Sequence, residues 1–104
     1  MERVELRGIP REEYPVVLRL LKSAIDARTS KLSEELSVAA REIERFESKY
    51  RMTYADFREA YLAEHDGNEE HEDAIEWRYW QEVYQRTRAL LEAYQRVQIE
   101  VKSE

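Results

Sequence analysis

The chain has 104 residues, with 17 Lys or Arg against 23 Asp or Glu, two Gly, two Pro and no Cys. That length allows one domain of the usual ~100–150 residues, and no stretch approaches the roughly 18 consecutive apolar residues of a membrane span. The absence of Cys rules out a disulfide framework and a thiolate metal site and fits a reducing cytoplasm, while the N-terminus lacks the charged-then-apolar pattern of a signal peptide. So few Gly leave little for hairpins or phosphate-cradling loops, and the remaining residues are largely helix formers.

Residues 3–10 (RVELRGIP) alternate, with Val4 and Leu6 on one side and Arg3, Glu5 and Arg7 on the other, up to Gly8 and Pro10. The pattern predicts an extended arm or short strand over residues 1–10, and a single strand of this kind needs a partner from another chain or remains an arm. Residues 11–104 form a single helical domain. From Pro15, tolerated in a first helical turn, there is no Gly or Pro until Gly67. Leu18, Leu21, Ile25, Leu32, Leu36, Ala39, Ile43, Phe46 and Tyr50 recur at spacings of three and four, with Arg28 in one apolar slot. That is a heptad seam of about four and a half repeats. Ala27-Arg28-Thr29-Ser30 is either a turn, with Ser30 or Ser33 capping a second helix, or the interior of one long helix; the unbroken register favours the long helix.

Thr53-Tyr54-Ala55-Asp56 reads as an N-cap with an acid at the third helical position, opening a short helix to about Leu62 or Ala63. His65-Asp66-Gly67-Asn68 is the clearest turn. The last helix is expected from Glu70 or Glu72 to about Val101, with an acidic first turn suited to the positive end of the helix dipole. Trp77, Trp80, Tyr84, Thr87, Leu91, Tyr94, Gln98 and Val101 form one seam; Tyr79, Val83, Leu90 and Val97 form a neighbouring row. Together they make a band about 160° wide, more than one packing partner needs, so this helix meets two elements or another chain as well. The expected fold is all-α: a long helix, a short helix and a long helix, with the two long helices packed antiparallel as a coiled-coil-like hairpin behind the N-terminal arm.

The net charge of −6 is local. Residues 1–50 balance ten bases against ten acids, whereas 51–104 hold seven bases and thirteen acids. Residues 59–76 contain eight acids and no Lys or Arg, a block that repels phosphate and suits either solvent or a basic partner. Catalysis finds little to use, because there is no Cys nucleophile and no Ser in a Gly-flanked elbow. His65, Asp66, Glu69, Glu70, His71, Glu72 and Asp73 are metal-binding residue types, but their spacing matches no recognised motif and reads as an exposed acidic loop. No cofactor or metal is assigned.

The acidic block adjoins Trp77 and Trp80, and Trp, Tyr and Arg dominate interface hot spots. The candidate partner-binding set is therefore Trp77, Trp80, Tyr84, Glu70, Asp73 and Glu76, against the plainer reading of both Trp as core anchors. A second candidate is the N-terminal segment VELRGIPREEY, which resembles the opening of ribbon-helix-helix DNA-binding proteins and would turn Arg3, Glu5 and Arg7 toward DNA.

The stretch FESKYRMTYADFREAYLAEHDGNEEHEDAIEWRYWQEVYQRTRALLE resembles small antitoxin subunits of prokaryotic toxin–antitoxin pairs. The resemblance lies in Lys49-Tyr50, Met52-Thr53, Phe57, the acids of 64–76 and Trp77, with Arg51 where such sequences often have Gly. It covers about half the chain, and it implies a non-catalytic inhibitor of a basic toxin, often a ribonuclease. The acidic segment would occupy the basic site, with Trp77, Trp80 and Tyr84 as apolar anchors. A homodimer is expected from the long seams and the small chain. The rival readings are a ribbon-helix-helix regulator that contacts nucleic acid through its arm, and a helical homo-oligomeric scaffold.

Overall fold

A computed structural model describes residues 2–3, 7–65 and 67–98. Helix α1 spans Tyr14–Tyr50, entered through a 3-10 turn at Arg11–Glu13, with Pro15 in its first turn. It runs unbroken through residues 27–30, so the heptad register prevails over the alternative turn. Its buried side chains, Leu32, Ala39 and Phe46, stand seven residues apart and mark a single stripe. The short helix α2 consists of an α turn Tyr54–Asp56, a π turn Phe57–Tyr61 and a closing α turn Leu62–Glu64. Thr53 caps it as the sequence predicts, its hydroxyl accepting from the Asp56 N–H at 3.2 Å. Helix α3 spans Asn68–Gln95. The fold is all-α, in the expected order of long, short and long helices.

The two long helices pack antiparallel, and the ion pairs fix their register. Lys49, in the last turn of α1, reaches Glu69 and Asp73 at the start of α3, and Arg45 reaches Glu76. The helices are therefore level at the α2 end. With 37 residues against 28 they span about 55 and 42 Å at 1.5 Å per residue, so α1 outruns α3 at its N-terminal end. Exposed Val16 and Leu20 lie in that part of α1. The result is a rod of 68 × 19 × 18 Å.

Two boundaries differ from expectation. Helix α3 begins earlier, at Asn68, with Gly67 in an extended N-cap conformation. It also stops at Gln95 instead of continuing to Val101. Arg96 closes the helix by donating to the Glu92 and Ala93 carbonyls, and Val97–Gln98 then pairs in parallel with Glu2–Arg3. From Val97 the sequence alternates β-branched with polar residues, a pattern of period two that competes with the helix. The strand tendency at the N-terminus thus finds its partner within the same chain. A pairing two residues long adds no sheet layer, and the fold remains all-α.

Arg51 ends α1 in the left-handed conformation, at φ 55° and ψ 42°. This is the position after a helix where Gly is favoured, because a Cβ there meets the neighbouring carbonyl. Arg51→Gly should therefore raise stability by about 0.5–1 kcal/mol, read from urea unfolding, and Arg51→Val should lower it.

Candidate functional site

The reversal between α1 and α2 brings six aromatic rings into one cluster. Phe46 and Tyr50 lie one turn apart on α1. The extra residue per turn of the π segment, closed by the Leu62 N–H donating to the Phe57 carbonyl, presents Phe57 and Tyr61 to Tyr50. Ring centroids lie 4.5 Å apart for Tyr50–Phe57 and 5.4 Å for Tyr50–Tyr61. Trp77 inserts from α3 and meets Phe46, Phe57, Tyr54 and Tyr50 at centroid distances of 5.5, 5.1, 5.5 and 6.0 Å. Phe46, Phe57 and Trp77 have no exposed surface. His65 closes the outer edge, stacked on Tyr61 at 3.9 Å, with Nδ1 donating to the Tyr61 carbonyl at 3.1 Å.

A polar clamp borders the cluster. Asp73 accepts from Lys49 Nζ at 2.6 Å and from the Tyr50 hydroxyl at 2.5 Å, and Lys49 also donates to Glu69 at 2.7 Å. Partial burial pushes Asp73 upward, but the hydrogen bonds from Lys49 and Tyr50 outweigh it and leave the carboxyl below its ordinary range. Burial first, and then donation to Asp73, push Tyr50 up to about 12, so its phenol remains a donor across the working pH range. The Lys49 ammonium is held well above its usual value, first by its hydrogen bond to Asp73 and then by that to Glu69.

The six candidate partner-binding residues do not form one open patch. Trp77 lies inside the core, and Trp80 and Tyr84 are half-buried. The indole N–H groups of Trp77 and Trp80 are buried with no acceptor among the described residues. Each such orphan donor costs about 1–3 kcal/mol. A buried indole removes ~150–250 Å² from water, worth roughly 4–6 kcal/mol, so the apolar gain is the larger. Asp73 is committed to Lys49 and Tyr50. Glu76 pairs with Arg45 at 3.5 Å, and half-buried Glu70 lays its carboxylate against Gly67, where a Cβ would lie 2.2 Å from it. Of the alternative DNA-facing set, Arg7 is exposed; Glu5 and the side chain of Arg3 lie outside the described residues. Among the described residues no group of three or more His, Asp or Glu is placed to hold a metal ion, and no helix is long and apolar enough to cross a membrane.

The structure picks out residues that periodicity passed over. Ile75, outside both apolar rows, is 73% exposed, and its neighbours one turn away along α3 are His71, Glu72, Arg78 and Tyr79. Its signal in the sequence is its isolation, a large aliphatic side chain within an acidic run. Glu64 and Glu72 are also exposed and stand outside the clamp, so this end of the rod keeps negative charge that the clamp does not neutralise. No family model, curated protein or solved structure matches the chain.

The clamp has a pH signature. A depressed carboxyl pKa contributes stability above the unfolded-state value of about 3.9 and loses it as pH falls through the lower folded value. Asp73→Asn should therefore be less stable than the parent by about 1–2 kcal/mol at neutral pH, a gap constant from about pH 5 to 8 and closing as the pH falls below the unfolded-state value. Urea unfolding of both proteins across that range measures the gap.

Proposed function

We propose that this chain is a non-catalytic protein-binding module, an antitoxin-like inhibitor that works in the cytoplasm as a homodimer and presents its acidic end to a basic partner protein. The observation that carries the reading is Ile75. A large apolar side chain exposed beside Glu72, near the end of the rod that also exposes Glu64 and on a helix anchored by the aromatic cluster, has the anatomy of an interface hot spot with a charged rim. The rim steers a basic surface toward it, and the apolar centre supplies the short-range term. Trp77 contributes indirectly, as the anchor that holds the α3 surface in place.

Two features weigh against the DNA-binding alternative. Helix α1 has no break where a ribbon-helix-helix chain turns between its helices, and Glu2–Arg3 pairs with Val97–Gln98 of the same chain in place of a partner's strand. The scaffold alternative shares the homodimer and lacks the partner.

Co-expression with the product of the adjacent gene is the test. The expected result is a stable complex with a basic protein whose growth inhibition is relieved, with affinity that falls as salt rises. Ile75→Glu should weaken the complex by about 30-fold or more while leaving the helical signal and melting temperature unchanged. Absence of any complex, with self-association intact, would leave the scaffold reading; an unaltered affinity in the Ile75 variant would dismiss this surface as the contact.

A further inference from the structure

Helix α3 carries two apolar rows, and α1 is long enough to cover one of them. Trp77 and Thr87 of the first row face α1 and are buried, and Trp80 of the same row is half-buried. The second row borders a groove of about 540 Å³ between the two long helices, floored by Leu32, Trp80 and Val83 and edged by Val38, Tyr79 and Leu90. Val38 is 39% exposed, Tyr79 55% and Leu90 40%. The groove runs along the flank of the hairpin and does not include Ile75.

We propose that a second copy of this chain covers this groove with its own, about a two-fold axis, so that two hairpins form a four-helix bundle. The inference rests on the homodimer reading above and supplies its surface. Three observations choose this occupant. The band on α3 is wider than one helix can cover, and no other element among the described residues lines the groove. The flank where α3 lies along α1, about 42 Å long and 19 Å wide, offers about 800 Å², roughly what each partner of a stable dimer contributes. The third is charge. The rim carries Arg28, Lys31 and Arg86 together with Glu34 and Glu35, so an identical surface brought against it meets both signs. A rim of one sign would repel its own copy and favour a different protein. An isologous contact between identical grooves also closes on itself and leaves no sticky end.

Sedimentation equilibrium of the full chain, with circular dichroism as the fold control, tests this. The wild type should be a dimer at micromolar concentration, and Val38→Glu with Leu90→Glu should be a helical monomer, its dimer weakened by at least about 30-fold. Ile75→Glu should remain a dimer. Should the double variant not fold, Leu90→Cys in this cysteine-free chain gives the same answer: thiol alkylation slows as the protein is concentrated into the dimer, while Ile75→Cys reacts at one rate throughout. A dimer that survives the double substitution, or a Leu90→Cys thiol equally reactive in monomer and dimer, overturns the groove and leaves the homodimer standing. A wild type that stays monomeric removes both and leaves the groove to the helix of a different protein.

Discussion

The packing of Trp77 against Phe46, Tyr50 and Phe57 is the constraint on which this molecule depends. Only six hydrophobic residues are buried among the described ones, and the three largest aromatic side chains of that set meet at this point. Away from it the hairpin is held by single contacts such as Leu32 and Val83, spaced along a rod 68 Å long. The cluster does three things at once. It ends α1, because Tyr50 must turn its ring toward α2. It braces the π turn, because Phe57 and Tyr61 both pack on Tyr50. It also sets the register of α3, because Trp77 has one place to enter. The Lys49–Asp73–Tyr50 clamp then adds direction, since a slip of one turn would part Asp73 from Lys49 and leave its partly buried carboxylate uncompensated.

The architecture was legible because it follows from period and punctuation. Nine apolar positions on a three-and-four repeat, with Arg28 in its one missing slot and no Gly or Pro between Pro15 and Gly67, favour a long helix. Thr53 with Asp56 places the start of α2 through a single capping bond. The end of α3 was harder to see, because Gln98 and Val101 still fit the helical seam while Val97 onward also fits a strand. That conflict is decided by pairing with Glu2–Arg3, distant in sequence. The π turn left no trace, since Phe57 and Tyr61 at i and i+4 share a face in an ordinary α-helix too.

The candidate site was legible in composition and not in orientation. The sequence brings an acidic run and two Trp together, but both a core position and an interface hot spot favour Trp, so the residue type cannot separate them. Helix phase separates them. Trp77 shares the phase of the buried stripe, whereas Ile75 lies two residues earlier and roughly 200° around the helix at 100° per residue. The acids divide in the same way. Glu69, Asp73 and Glu76 turn toward α1 and meet Lys49 and Arg45, while Glu72 remains at the surface. Two surfaces follow, one at each kind of unsatisfied residue: a charged end with one aliphatic centre, and a long apolar groove with balanced charge. Their chemistries differ, in keeping with the proposal of a basic protein at the first and a second copy at the other.

Native-state hydrogen exchange, resolved by residue in dilute solution, tests the central role of the aromatic joint most directly. Amides of residues 43–50 and 74–84 should show the highest protection, at the free energy of global unfolding, with protection falling along α1 toward Tyr14. Highest protection in the N-terminal turns of α1, or equal protection along the whole rod, would contradict it, because the hairpin would then be held together somewhere other than at Trp77.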